Sequence, residues 1–388
     1  MIDHFLLLLQ RLRTSKKHSG AGEDISPWKL VRQGLPYYFS PAGYARNPLT
    51  LFFVINGTCN LRCRMCDVGQ QKRDSMFFRN LKGDSAQNFP IERFKSLIDE
   101  VHSFRPYIGI TTTEPLLYPH IFSAVEHAHS RNLQVNITTN GTLIERHIND
   151  ILDCGLHRIS VSIDGPEHVH DEMRGVKGTY QRVLRGIQLL KEEKKRRGLT
   201  LPHVFVSSFI CDANYAHMVE MIESLPHDVV ERINIKLMVY TTKEIVDAHN
   251  RIWGERYPAT VSCMPDDFRP EAIDVDILRE QIHEMKRRFG HFCNLYFDDD
   301  QPFLEKYFYR SREFLDATRC IMPWFVSQVT ASGDLIAMTR CYSISLGNIM
   351  SRPFTDVWNG EKMRAFRRDL KKHGRFPGCA RCEGMMSH

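Results

Sequence analysis

Leu51-Phe52-Phe53-Val54-Ile55-Asn56 is followed, after two residues, by Cys59-Asn60-Leu61-Arg62-Cys63-Arg64-Met65-Cys66. The first stretch is a run of branched and aromatic residues of strand length. The second spaces three thiols by three and two residues in the loop that leaves that strand. Cys thiolate is the ordinary iron–sulfur ligand, and three such sulfurs can wrap one side of a compact cluster. Three ligands are one short of four, so one metal position is left open to a ligand that is not protein. A structural zinc site takes four protein ligands. No fourth cysteine is nearby, and no histidine lies between Thr58 and Glu100. Free core cysteines are the other plain reading.

Working outward, five more apolar, β-branched runs follow: Tyr107–Thr111, Leu133–Thr139, Arg158–Ile163, His203–Ile210 and Ile233–Tyr240. Helical spacing fills the intervals. Phe94, Leu97, Ile98 and Val101 fall on one face of a helix from Ile91 to about Phe104, and further helices are expected over Pro119–Arg131, Leu143–Cys154, Thr179–Arg197 and Asn214–Leu225. Alternating strands and helices predict an α/β fold with parallel units and right-handed crossovers. Six units would form a partial (β/α)6 barrel of the TIM type, with functional loops beyond the C-terminal ends of the strands. The Cys59–Cys66 loop sits at such an end. After Tyr240 the alternation stops: 241–270 reads as irregular, and Asp274–Phe289 as a helix. The expected division is an N-terminal extension over 1–48, the barrel over 49–245, a connecting helical region over 246–315 and a small cysteine-bearing domain over 316–388.

The CxxxCxxC loop after the first strand resembles the radical S-adenosylmethionine (SAM) superfamily. The resemblance implies a [4Fe–4S] cluster on Cys59, Cys63 and Cys66, with SAM on the open iron. One electron then splits the sulfonium, and a 5′-deoxyadenosyl radical takes a hydrogen atom from the substrate. The family usually has an aromatic residue before the third cysteine; here it is Met65. Its Gly-Gly-Glu-Pro segment after the second strand is matched by Thr112-Thr113-Glu114-Pro115, with threonine at both glycine positions. Thr139 and Asn140, in Thr138-Thr139-Asn140-Gly141, resemble the family's ribose-contacting turn. Ser162, in Ser160-Val161-Ser162-Ile163-Asp164-Gly165, and then Arg174 match residues that related enzymes place on the SAM carboxylate, and the resemblance makes Asp164 a further cofactor-binding candidate. An arginine suits a carboxylate because its fork pairs both oxygens. Taken singly, Thr139 and Asn140 could be turn chemistry, and Arg174 a surface ion pair. The resemblance also implies an electron donor of the flavodoxin or ferredoxin type.

Cys320, Cys341, Cys379 and Cys382 form a second set, whose last two make a two-residue metal-binding turn. Four thiolates close a coordination shell. With Gly333-Asp334-Leu335, Leu346-Gly347-Asn348-Ile349 and Val357-Trp358-Asn359-Gly360 around them, they resemble the SPASM and twitch domains of radical SAM enzymes. The full SPASM pattern has more cysteines and two clusters, so one fully ligated auxiliary [4Fe–4S] cluster is expected. A zinc ion held by the same four cysteines is the rival that spacing permits.

A closed second cluster cannot bind substrate without losing a ligand, so its natural use is to accept electrons. That favours oxidation, and a short stretch of about 50 residues before the first strand favours a small hydroxylated metabolite over a peptide. Epimerisation is the alternative. It needs a hydrogen-atom donor, and Cys211, at the end of the fifth strand, is the candidate; a small buried hydrophobe is the commoner role of such a thiol. Peptide maturation and a zinc-bearing binding module are further alternatives. The net charge of +6 is mild and no aromatic-basic patch appears, which disfavours nucleic acid. No apolar run approaches the roughly 18 residues of a membrane span. Phe5–Leu9 is too short for a signal peptide, so the cytoplasm is the expected compartment. Leu6–Leu9, followed by Arg11, Arg13, Lys16 and Lys17, could rest weakly on a membrane surface or dock loosely as a helix.

Overall fold

A computed structural model describes residues 26–82, 87–315, 319–338 and 341–382; the amphipathic segment around Leu6–Leu9 lies outside them. Each of the six apolar runs forms a strand: β1 Thr50–Phe53, β2 Tyr107–Ile110, β3 Val135–Thr139, β4 Arg158–Ser162, β5 His203–Ile210 and β6 Arg232–Leu237. They are parallel and lie side by side in chain order. Parallel neighbours require a crossover, and helices supply it. The helix Ile91–Val101 buries Phe94, Leu97, Ile98 and Val101, the face expected from spacing. Phe94 packs against Phe53 of β1 with ring centroids 5.1 Å apart.

The sheet is wider than six strands. β7 (Cys293–Leu295) adds beside β6, and on the other flank β8 (Val326–Val329) pairs in parallel with β1, followed by the antiparallel β9 (Leu335–Ile336). The nine-strand order is β7-β6-β5-β4-β3-β2-β1-β8-β9. These added strands have two to four residues each, too few to show a period of two in sequence. The cysteine-bearing C-terminal region thus starts inside the sheet, next to the strand that carries the first cysteine loop. Among the described residues no helix is long and apolar enough to cross a membrane.

Residues 241–270, read as irregular, contain the helix Lys243–Trp253. Thr242 caps it, its hydroxyl accepting from the Ile245 amide. Only Ile245 and His249 on this helix are buried, so its apolar stripe is too thin to register as a period. The expected helix Asn214–Leu225 is shorter, Met218–Glu223, and Leu143–Cys154 opens as a 3-10 turn before Ile148–Asp153.

Burial alternates along β3 and β6. On β6, Ile233, Ile235 and Leu237 are fully buried against the helices, while Asn234 and Lys236 are half-buried on the opposite face. Alternate strand positions face opposite sides of the sheet, and in a partial barrel Asn234 and Lys236 take the less buried, concave side.

The packing around Phe94 predicts that Phe94→Ala costs about 3–5 kcal/mol of stability, read from the urea unfolding midpoint. The more exposed Phe122→Ala should cost much less.

Candidate active site

The loop after β1 carries Cys59 and Cys66, both half-buried, and Cys63, which is buried. Burial pushes the Cys59 thiol up to about 11 and the Cys66 thiol up to about 12, with Cys63 raising both. The loop is fastened on three sides. The Arg62 and Arg64 amides donate to the carbonyls of Arg174 and Met173, at the C-terminal end of the helix Glu167–Arg174. The Arg64 guanidinium grips both oxygens of Asp212, at 3.0 Å each, beyond the end of β5. From the third side comes the strap 260–267. Asp67, 2% exposed, accepts from the Ser262 hydroxyl and the Cys263 amide, both at 2.9 Å, and Lys72 reaches the Met264 carbonyl and Asp266.

Gly175 makes the first of these contacts feasible. It ends the helix with φ +70°, and a Cβ there would lie 2.6 Å from the Arg62 carbonyl oxygen. Backbone freedom and close approach both call for glycine.

Arg174 points back into the site. Its Nη1 stands 3.7 Å from Cys63 Sγ, and its Nη2 pairs with the fully buried Asp164 carboxylate. Burial works against the charge, but Asp164 and Cys63 outweigh it and keep the guanidinium protonated. Asp164 also accepts from the Phe209 amide at 3.1 Å, and its carbonyl takes the Asn214 side-chain amide at 2.6 Å. Its carboxylate is therefore committed to orienting Arg174 and β5.

Glu114 is likewise fully buried and committed to the protein. One carboxylate oxygen accepts from the Thr139 hydroxyl (2.7 Å) and the Leu116 amide (3.0 Å), the other from the Asn140 amide (2.7 Å). Burial raises its pKa, and the Asn140, Thr139 and Leu116 donors pull it back. Asn140 continues the network, donating to Asn60 at 2.8 Å and accepting from the Thr142 amide and hydroxyl. Asn56 donates to the Glu114 carbonyl at 2.9 Å. The loops after β1, β2 and β3 form one polar bracket. Thr112 and Thr113 sit in it at φ +73° and +48°. The left-handed backbone that glycine would favour is thus kept, in β-branched residues for which it is an outlier. Thr113 Oγ1 is 2.7 Å from Asn56 Oδ1, a local bond that offsets part of the strain.

Beyond the bracket, Ser162, Ser207, Asn234 and Asn294 occupy neighbouring register positions on β4, β5, β6 and β7. All four are half-buried on the concave face. Lys236 lies next along β6, its ammonium 5.2 Å from the centre of the Tyr296 ring. Cys211 differs from these. It is 2% exposed and packed in the main core, with its thiol pushed up to about 12 by burial, while the nearby Ser207 and Phe209 are half-buried.

Cys320, Cys341, Cys379 and Cys382 come together at the other end of the chain. Burial pushes the thiols of Cys320, Cys341 and Cys379 up; Cys379 and Cys382 add to the effect on Cys320, and all three partners add to that on Cys341. Arg381, 1% exposed, fixes the Cys379–Cys382 turn. It donates to the carbonyls of Lys306, Tyr307 and Arg310 at the end of the helix Gln301–Tyr309, and to those of Glu313 and Ala380. A cation is well placed at a helix C-terminus. Tyr257, His249, Tyr342, Phe366 and Phe376 wall the site with packed rings.

Among the described residues no three Cys, His, Asp or Glu side chains converge on a single metal ion. A four-iron cluster takes its thiolates on separate irons, and two sets of clustered, mostly half-buried thiols suit such groups. Sequence reading missed Arg64, Asp67, Asn56, Asn60 and Tyr342. Their partners lie up to 203 residues away, as for Arg64 and Asp267, so no local spacing could reveal them.

Comparison with known proteins agrees with this geometry. Residues 53–225 match the radical SAM superfamily, and residues 320–383 match the SPASM iron-sulfur cluster-binding domain. The chain belongs to the radical SAM superfamily and carries a C-terminal SPASM domain; its cofactors are SAM, a [4Fe–4S] cluster and an auxiliary cluster. Similar relatives include the Fe-coproporphyrin III synthase of Methanosarcina barkeri, 33% identical over 48% of this chain, and an AdoMet-dependent heme synthase of the same organism, 33% identical over 37%. These alignments span 45% and 40% of the relatives' own lengths. The pre-heme d1 synthase of Dinoroseobacter shibae is 22% identical over 89% of this chain and 82% of its own. Among solved structures, Streptococcus suis SuiB bound to S-adenosylmethionine superposes with a TM-score of 0.60 at 12% identity, covering 89% of this chain and 74% of its own.

Two substitutions test the backbone reading in opposite directions. Gly175→Ala should lose at least about 1–2 kcal/mol from the left-handed conformation alone, with the Arg62 contact adding to it. Thr112→Gly should gain roughly 1 kcal/mol, because relief of the β-branched outlier exceeds the entropy cost of glycine. Urea denaturation of the two variants reads both.

Proposed function

We propose that this radical SAM enzyme oxidises a small, hydroxylated substrate held on the concave polar face, with Cys59, Cys63 and Cys66 ligating the SAM cluster and Cys320, Cys341, Cys379 and Cys382 the auxiliary one. The observation that carries the reading is the second set of four mutually close, half-buried thiols. A site closed by its own protein ligands is suited to electron transfer rather than to substrate binding. Bound in these places, the cofactors supply a 5′-deoxyadenosyl radical for hydrogen abstraction and an acceptor for the electron that the substrate radical must lose.

The residues divide the remaining work. The Cys59–Cys66 loop leaves one position open for SAM. Arg174, aimed by Asp164, offers a forked cation to the SAM carboxylate, with Ser162 beside it on the concave face. Thr112 and Thr113 present backbone to the SAM amino group from their left-handed turn. Glu114 acts through Thr139 and Asn140, holding the ribose-facing turn. The row Ser162, Ser207, Asn234, Asn294 offers hydroxyl and amide partners to an oxygen-rich substrate. A flavodoxin or ferredoxin-type donor supplies the initiating electron, and the cytoplasm is the compartment that suits such chemistry.

A second reading takes the substrate from the relatives. A tetrapyrrole is favoured by the pre-heme d1 synthase, whose alignment runs through both domains over 89% of this chain. Its carboxylates would meet Lys236 on the same face.

Anaerobic turnover with SAM decides between outcomes. We expect 5′-deoxyadenosine and one product two electrons more oxidised than substrate per SAM consumed. Cys379→Ala should still cleave SAM while losing most of the oxidised product. A product isoelectronic with its substrate would contradict oxidation and return Cys211 to the hydrogen-donor role, visible as solvent deuterium in the product. Turnover of a carboxylate-bearing tetrapyrrole in place of hydroxylated metabolites would favour the second reading.

A further inference from the structure

The auxiliary thiols have a neighbour that no cysteine pattern names. Tyr342 directly follows Cys341, and its hydroxyl lies 3.5 Å from Cys379 Sγ. A thiolate that ligates iron carries no hydrogen, so in the loaded site the tyrosine O–H must be the donor. The ring has little freedom to turn away. His249 stacks flat on it at 4.5 Å and 13°. The Gly378 amide donates to His249 Nδ1 at 3.3 Å, so the ring proton sits on Nε2, 2.6 Å from the Tyr257 carbonyl it serves. Both bonds together hold the imidazole neutral and in one orientation. Gly378 is part of the same fit. A Cβ there would lie 3.0 Å from the Tyr342 hydroxyl and 3.3 Å from His249 Nδ1. Phe366 and Phe376 close the remaining sides.

A hydrogen bond to a ligand sulfur stabilises the electron-rich, reduced cluster more than the oxidised one, and so raises its potential. We propose that Tyr342 is a positioning and tuning residue of the auxiliary cluster, donating to Cys379 Sγ and thereby setting that cluster's reduction potential higher than four thiolates alone would. The step is a one-electron uptake by the cluster, with no proton transferred from the tyrosine. An acceptor needs this direction of tuning. The inference rests on the auxiliary site of the proposed function, yet its readout is a potential rather than a product.

The test is a redox titration of the full-length, reconstituted protein followed by electron paramagnetic resonance, the auxiliary signal being the one that SAM leaves unchanged. Tyr342→Phe should move the auxiliary midpoint to a more negative potential, and Gly378→Ala should move it the same way by displacing the hydroxyl. Tyr257→Phe removes a hydroxyl of the same aromatic wall that bonds Asp369 at 2.6 Å, and should leave the midpoint in place. An unmoved midpoint in Tyr342→Phe, or an equal shift in Tyr257→Phe, overturns the proposal. The unsubstituted protein gives an independent reading. Exchange into heavy water should shift an auxiliary iron–thiolate stretching band in the resonance Raman spectrum, and a band indifferent to exchange overturns the proposal whatever the variants do. A missing oxidised product with the midpoint shift intact would overturn the proposed function and leave this inference standing.

Discussion

A single buried carboxylate holds the mouth of the sheet together. Glu114 has no exposure, and each of its oxygens is spoken for by donors of the β3 turn or its own turn. Its backbone is bonded to Asn56 and Thr58 in the loop that leads to Cys59. Burying an ionised group without partners costs several kcal/mol; here the donors are fixed by the turns after β2 and β3. The arrangement makes the carboxylate and the loops depend on each other. It also explains how threonines can occupy a left-handed turn: the surrounding bonds over-determine the backbone, and the strain is held where the cofactor is to be met.

The second organising feature is the segment 241–270. Its helix Lys243–Trp253 and the residues just after it bring His249, Trp253 and Tyr257 against the Cys379 turn. Its following strap brings Ser262, Cys263 and Asp267 against the Cys59–Cys66 loop. Asn80, shortly after that loop, bonds the Cys341 carbonyl at 3.0 Å. Both cysteine sites are therefore built partly from the same continuous stretch of chain. β8, paired with β1, joins them a second time through the sheet. Two cysteine sites seated on one packed frame keep a fixed separation.

Much of this was legible in the sequence because it is local. Strand runs, the Phe94–Val101 helical face, the two cysteine spacings and the match of Glu114, Asn140, Ser162 and Arg174 to turns at strand ends all depend on residues a few positions apart. What escaped was long-range or short. β7, β8 and β9 have two to four residues each and gain their pairing from the sheet. The helix Lys243–Trp253 is held by rings of the C-terminal domain rather than by its own apolar stripe. The carboxylates of Glu114 and Asp164 are bonded to Thr139, Asn140, Leu116, Phe209 and Arg174, because full burial demands protein partners. Which partner a buried carboxylate takes is a matter of tertiary contact, and spacing cannot tell it.

The proposed function depends on a first cysteine set that leaves one iron open and a second set that leaves none. Electron paramagnetic resonance of the reduced protein, recorded before and after adding SAM, addresses this directly. SAM should alter one of two cluster signals; the altered signal should vanish in Cys63→Ala and persist in Cys382→Ala. A SAM response that survives loss of Cys63, or that disappears with Cys382 alone, would contradict the assignment of the two sites.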